Sequence, residues 1–177
     1  FPYTTLFRSG EVPNRFLAFT APLQKAIADY TANGGSILVS GSYVATDIWD
    51  KANPDEASKE FAKQTLGYQW RVGQATIEGK AHTVPTYFDS FGDLNVEYYT
   101  TLNDKFYAVE SPDGIYPADK PKGCSLMRSG ETNIPAAVVA DQGVSRTCVM
   151  GFPFETIKDA ASRRALMGQI MEFFNKK

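Results

Sequence analysis

A short apolar run ends in residue types that could support nucleophilic chemistry. Residues 36–40 read SILVS, and Gly41 and Ser42 follow directly. A serine on a glycine-containing turn after a strand is where α/β-hydrolases hold their nucleophile. Ser42 is therefore a candidate nucleophile, although the local sequence SGSY does not match the G-x-S-x-G pattern.

A serine nucleophile also needs a base, and the sequence contains a single histidine, His82. His82 lies in an irregular β-rich stretch, from which it would have to reach across to Ser42. The alternative is that Ser40 and Ser42 only form hydrogen bonds within their turn, as serines often do. No cysteine or second histidine is near His82, so we expect no metal site and no cofactor.

Other polar and aromatic residues at the same turn could bind a sugar. The candidate ligand-binding residues are Ser40, Tyr43, Asp47 and Trp49. They follow the carboxyl end of a predicted strand, where open α/β sheets bind ligands. Aromatic faces can stack on sugar rings while carboxylates bind hydroxyls. The alternative is that the aromatic rings cover the core and that Asp47 caps a turn. Further tyrosines could extend such a surface: Tyr87, Tyr98, Tyr99 and Tyr107.

The hydrophobic pattern predicts the elements that position these residues. A helix begins after Thr20, with Leu23, Ala26, Ile27 and Tyr30 on one face, and ends at Asn33. A second helix spans 55–66, and residues 68–116 form a β-rich insertion with short strands. Three strands follow near 124–128, 134–140 and 146–151, joined by turns as an antiparallel meander. A last helix begins near Asp159 and buries a stripe of large apolar residues: Leu166, Met167, Ile170, Met171, Phe173 and Phe174.

The two cysteines lie on the outer strands of this meander. Strands two steps apart are about 10 Å from each other. A disulfide needs Cα atoms closer than about 7 Å. We therefore predict that Cys124 and Cys148 are free, buried thiols.

Bulk composition limits the classes of function. The 177 residues suit one domain, and a net charge of −2 offers no attraction to nucleic acid or an anionic membrane. The longest apolar runs are too short to cross a bilayer. Residues 1–9 read FPYTTLFRS, which resembles the translation of a sequencing adapter. We expect this segment to be non-native and 10–177 to form the domain; an ordinary frayed terminus is the alternative.

Two stretches, ADYTANGGSILVSGSYVATDIW and VMGFPFETI, resemble the class I glutamine amidotransferase-like fold. More narrowly, they are similar to large secreted Bacteroidetes proteins described as xanthan lyase, golvesin-domain or cell-wall amidase-like. The resemblance covers about 22–49 and 138–174. It implies a three-layer, flavodoxin-like α/β sandwich with a mostly parallel sheet. It also implies an N-terminal truncation that removes at least one βα unit.

The family's enzymes use a cysteine nucleophile at a strand-to-helix turn, and a His-x-Glu pair after a late strand. On this sequence the turn is Ser40-Gly41-Ser42, which contains no cysteine. The His-x-Glu pair falls at Pro153-Phe154-Glu155, where only Glu155 remains. Two of the three triad members are therefore absent by residue type, and Ser42 and Glu155 are weak catalytic candidates.

These observations lead to a functional hypothesis that leans away from enzymatic activity. The resemblance implies a non-catalytic module of a secreted or periplasmic multidomain protein associated with cell-wall or extracellular polysaccharide. Its partners would be a glycan or neighbouring domains of the same chain, without nucleic acid or membrane insertion. The alternative is an amidase or glycan-active hydrolase whose active groups lie partly in the missing segment. A cytoplasmic structural or regulatory domain is a third possibility.

Overall fold

The computed structural model describes residues 17–49, 55–102, 104 and 107–176. The predicted adapter-derived segment 1–9 lies outside these residues. The helical elements in the described part are α1 (Ala21–Ala32), α2 (Glu56–Phe61), a π-helical turn (Ala62–Leu66), a 3₁₀ turn (Phe154–Thr156) and α3 (Ala160–Asn175). The strands are β1 (Ile37–Ser40), β2 (Tyr68–Val72), β3 (Lys80–Thr83), β4 (Asn95–Glu97), β5 (Gly114–Pro117), β6 (Gly123–Ser129), β7 (Pro135–Asp141) and β8 (Arg146–Met150).

Helix α1 begins and ends as predicted, but its apolar face is narrower than predicted. Thr20 occupies the N-cap position without a capping hydrogen bond from its side chain. Ile27 is buried, whereas Leu23 and Tyr30 are 44% and 55% exposed. Of the four apolar residues predicted to share one face, only Ile27 is buried, because the helix packs along only part of its surface.

The second predicted helix is interrupted by a change in helical geometry. The Asp55 carboxylate accepts a hydrogen bond from the Ser58 amide at 3.1 Å and starts α2. The helix then widens into the π-helical turn, which ends at Gly67, whose φ is +79°. Glycine adopts this left-handed conformation without the steric cost of a Cβ.

The main sheet has six strands in the order β1-β8-β7-β6-β3-β4. Within it β1 and β8 are parallel, and each of the other described pairs is antiparallel. The predicted C-terminal meander, β6-β7-β8, is confirmed.

The expected three-layer, flavodoxin-like sandwich with a mostly parallel sheet is wrong. Parallel neighbours need a crossover of a dozen or more residues, usually through a helix. The connections at 130–134 and 142–145 are far shorter, so β6, β7 and β8 must run antiparallel. Strands β3 and β4 also extend this antiparallel part of the sheet, while β2 and β5 pair separately as a two-stranded sheet.

The main sheet is buried on both faces, which explains the apolar sequence of its central strands. Val138 and Val149 face one cluster, which also contains side chains of α1, α2 and β2. Val139 and Cys148 face the other cluster, together with α3. Because successive side chains in a strand point to opposite faces, a strand covered on both sides becomes apolar throughout.

Helix α3 confirms the predicted cap and part of the predicted stripe. The Asp159 carboxylate accepts a hydrogen bond from the Ser162 amide at 2.7 Å. The Ser162 hydroxyl donates to the same carboxylate at 2.8 Å, and this bond, together with the bonds from the amides, lowers the pKa of Asp159. Leu166, Ile170 and Phe173 are buried, whereas Met171 is 48% exposed.

Candidate functional site

The structure brings the predicted serine turn and the segment containing Glu155 to the same edge of the sheet. We call residues 41–49 the β1 turn. The Gly41 amide donates to the Met150 carbonyl at 3.2 Å. The Ser40 hydroxyl accepts from the Phe154 amide at 3.3 Å. These bonds join the carboxyl ends of the parallel strands β1 and β8, the edge at which a ligand site was predicted.

The β1 turn contains a backbone conformation that is uncommon outside glycine. Tyr43 has a φ of +62°, in the left-handed region. Such conformations cost on the order of 1 kcal/mol and persist only where surrounding contacts hold them. The contacts that hold Tyr43 in this conformation are made two and three residues later, by Ala45 and Thr46.

A buried carboxylate holds the β1 turn. The Oδ2 atom of Asp113 accepts hydrogen bonds from the Ala45 amide at 2.7 Å and the Thr46 amide at 3.0 Å. Its Oδ1 atom accepts from the Thr46 hydroxyl at 2.5 Å. Asp113 is 0% exposed. Successive amides after a strand can form an anion-binding concavity, and here the anion they bind is the protein's own side chain.

Two aromatic side chains complete this network. The Trp70 indole nitrogen donates to the Thr46 hydroxyl at 3.0 Å, and the Tyr68 hydroxyl donates to the Val44 carbonyl at 2.7 Å. Burial raises the pKa of Tyr68, and the negative charges of Asp113 and Asp47 raise it further. Tyr68 therefore stays protonated and acts as a hydrogen-bond donor.

The remaining predicted ligand-binding residues also have structural contacts. The Asp47 Oδ2 atom accepts from the Ala18 amide at 2.8 Å. Trp49 is half-buried, and its ring centroid lies 6.2 Å from that of Tyr68. Each therefore has a role in holding the β1 turn, and ligand binding by these residues stays a prediction.

The strand order separates the candidate nucleophile from the histidine. His82 lies on β3 and pairs with Arg128 of β6, four strand positions from β1. At about 4.8 Å per strand, the backbones are about 19 Å apart. This distance prevents His82 from acting as the base for Ser42 within the chain. Neither cysteine lies in the β1 turn: Cys148 is opposite Leu38, before the end of β1.

Glu155 has a tyrosine partner rather than a histidine. It is the exposed residue of the 3₁₀ turn, and its Oε1 atom accepts from the Tyr107 hydroxyl at 2.6 Å. Burial raises the pKa of Tyr107, and the hydrogen bond to Glu155 raises it further. Sequence analysis did not find this pair, because its members are 48 residues apart and share no motif.

The described residues contain neither a cluster of metal-binding side chains nor a membrane-spanning helix. Among these residues, no group of three or more His, Cys, Asp or Glu side chains could hold a metal ion. No described helix is both long enough and apolar enough to cross a membrane.

The cysteines lie as the meander predicts. Both Cys124 of β6 and Cys148 of β8 pair across the sheet with Val139 of the intervening strand, and both are free. Cys148 is buried as predicted, whereas Cys124 is half-buried. Burial raises the pKa of Cys124 to about 11 and that of Cys148 to about 12.

We expect both thiols to react slowly in the folded protein. A raised pKa removes the thiolate, so at pH 8 Cys124 should react with a disulfide reagent about 100-fold more slowly than glutathione. Its rate should rise with pH until the pH passes about 11. In guanidinium both cysteines should react fully, as counted by mass spectrometry. A mass 2 Da too low before reduction, showing a bridge, or rapid labelling of the folded protein would contradict this expectation.

Comparisons with known proteins give a likeness in fold only. No protein-family model matches the sequence, and no curated protein matches it. Among solved structures, the chain resembles part of a β-galactosidase from Rahnella sp. R3, with a TM-score of 0.52 over 86% of this chain at 10% identity. The chain spans 20% of the length of that protein. The resemblance to the amidotransferase-like family therefore stays a prediction, and what these comparisons support is that the chain shares its fold with one part of a glycosidase.

Proposed function

We propose that this chain is a non-catalytic module of a larger protein that acts on or binds cell-wall or extracellular polysaccharide. Its role in that protein is to bind a glycan or to pack against neighbouring domains. The observation that carries the non-catalytic part is the carboxylate of Asp113 on the amides of Ala45 and Thr46.

An acyl-transfer site needs backbone donors directed at the position where an oxyanion develops. In the β1 turn the two amides that could serve this purpose already bind a buried negative charge, which would repel an oxyanion. Ser42 in the β1 turn has no histidine within reach, because His82 is four strand positions away from β1. The partner of Glu155 is the Tyr107 hydroxyl. Burial raises the pKa of Tyr107, so Tyr107 stays protonated and cannot replace the missing histidine as a general base.

Composition and structural likeness support the glycan part of the proposal. Aromatic residues make up 13% of the chain, and several tyrosines are exposed on the described surface. The structural likeness is to a stretch of a β-galactosidase that comprises a fifth of that chain. A location outside the cytoplasm belongs to the same proposal and depends on the family resemblance.

Activity and binding assays on the full chain test this proposal. We expect the chain not to turn over peptidoglycan, xanthan or a chromogenic β-galactoside. We also expect its migration during electrophoresis to be slowed in gels that contain a polysaccharide to which it binds. Ser42→Ala and Glu155→Gln should change neither result. Turnover of any substrate that Ser42→Ala or Glu155→Gln abolishes would contradict the proposal and favour the hydrolase alternative.

A further inference from the structure

A polar groove lies at the end of the sheet opposite the β1 turn. Met150 of β8 pairs with Ser40 at the turn end, whereas Arg146 pairs with Asp141 at the other end. Four residues of strand separate the two ends, or about 13 Å. Two depressions of about 230 and 440 Å³ adjoin there, and they share Lys122 and Gln142 as lining residues. We call them together the far-end groove, defined by Lys63, Tyr87, Asp119, Lys122, Asp141 and Gln142.

The lining of the far-end groove matches a neutral, polyhydroxylated ligand. It contains two ammonium groups, two carboxylates and the side-chain amides of Gln64 and Gln142, so donors and acceptors are both present. The formal charges of the lysines and aspartates cancel, which favours neither an anion nor a cation. Sugar hydroxyls both donate and accept hydrogen bonds, and a lining of mixed polarity can satisfy them.

The groove also contains an exposed aromatic ring. Tyr87 is 55% exposed, and its ring centroid lies 4.4 Å from that of Phe88, with the two rings tilted by 47°. The Tyr87 hydroxyl donates to the Lys120 carbonyl at 3.4 Å. Partial burial raises the pKa of Tyr87, and the charges of Asp119 and Asp141 are among the groups that raise it further. Tyr87 and Asp141 line the same depression of the groove.

Backbone and side-chain bonds hold the lining in place before any ligand binds. The Asp141 carboxylate accepts from the Gly143 amide and from Nε of Arg146, both at 2.9 Å. The Asp141 amide donates to the Lys122 carbonyl at 2.8 Å. A site that is already ordered loses less conformational entropy on binding.

We propose that the far-end groove binds a neutral oligosaccharide, with Tyr87 stacking on a sugar ring and Lys122, Asp119 and Gln142 binding its hydroxyls. This inference rests on the proposed association with polysaccharide and gives that association a site. The site differs from the one predicted from sequence, which is at the β1 turn.

Calorimetric titration of the full chain with cellohexaose and with β-1,4-galactotetraose tests the inference. A galacturonate oligomer and a chitosan oligomer serve as charged comparisons. We expect at least one neutral probe to bind more tightly than either charged one. Tyr87→Ala and Lys122→Ala should each weaken binding about tenfold, which corresponds to about 1.4 kcal/mol. Both side chains are largely exposed, so melting temperatures should stay near that of the parent chain.

Tyr107→Ala is the matched control, because Tyr107 is also an exposed tyrosine but lies beside Glu155 at the opposite end. It should change the affinity less than twofold. If the parent chain binds a neutral probe and Tyr87→Ala binds it equally well, the groove is not the site, while the proposed glycan association stands. Loss of binding in Tyr107→Ala alone would place the site at the β1 turn and overturn the inference. Absence of binding to every probe would also overturn it, and the non-catalytic module would then have packing as its role.

Discussion

Asp113→Ala should lower the free energy of unfolding by about 4 kcal/mol, the first of the two largest effects that we expect. The substitution leaves the amides of Ala45 and Thr46 and the Thr46 hydroxyl without their acceptor. A buried donor without a partner costs about 1–3 kcal/mol, and three donors share this carboxylate. For a domain of this size the loss corresponds to a fall in melting temperature of about 10 °C.

The reason that the effect should be so large is the strained turn that these bonds support. Tyr43 keeps its φ of +62° only while the following amides are held. Urea denaturation followed by circular dichroism measures the loss. Asp113→Asn keeps the shape and one acceptor oxygen, so we expect about half of the effect. Asp93→Ala, on an exposed loop, should lie within about 0.5 kcal/mol of the parent chain. Equal stabilities of Asp113→Ala and Asp93→Ala would show that the carboxylate does not hold the β1 turn.

Gly151→Ala should lower the free energy of unfolding by about 3 kcal/mol or more. A Cβ at this position would lie 2.0 Å from the carbonyl oxygen of Asp113 and 2.8 Å from its carbonyl carbon. Both are backbone atoms, so no side-chain rotation can relieve the clash. Overpacking of this kind typically costs 1–3 kcal/mol even when the obstructing atoms can move.

The clash cannot be relieved by a small backbone shift without losing hydrogen bonds. The Asp113 amide donates to the Gly151 carbonyl at 2.7 Å, and the Gly151 amide donates to the Ala136 carbonyl at 2.9 Å. Gly168→Ala is the matched control, because a Cβ there meets nothing within 4 Å. Gly168 lies within α3, where alanine is favoured over glycine by about 1 kcal/mol, so this variant should be as stable as the parent or more so. If Gly151→Ala were as stable as Gly168→Ala, the close approach of the two backbones would be disproved.

The two positions explain why the β1 turn resembles a reactive site in sequence. Gly151 lets the chain after β8 lie against Asp113, and Asp113 then reaches the amides of Ala45 and Thr46. Gly41 follows β1 as Gly151 follows β8, and a glycine directly after a strand can serve close packing, as Gly151 does, as well as hold a nucleophile. The pattern by itself therefore does not distinguish a catalytic turn from a structural one.

Local sequence determined the elements and the absence of a complete triad. The cap at Asp159, the stop at Gly67 and the turns of the meander depend on residues within a few positions of one another. The lack of cysteine at the β1 turn and of histidine near Glu155 could also be read directly.

Tertiary structure alone decided that β3 and β4 join the main sheet, which partner the β1 turn has and where the far-end groove lies. Asp113 is 68 residues from Ala45, and Tyr107 is 48 residues from Glu155, so neither contact produces a local pattern. The mostly parallel sheet that the family resemblance implied was wrong, because the short connections between β6, β7 and β8 allow only antiparallel neighbours. The groove joins residues from the π-helical turn, the loop before β6 and the end of β7. Neighbouring residues determine the local conformation of the backbone, whereas contacts between side chains that are distant in sequence depend on how the whole chain packs.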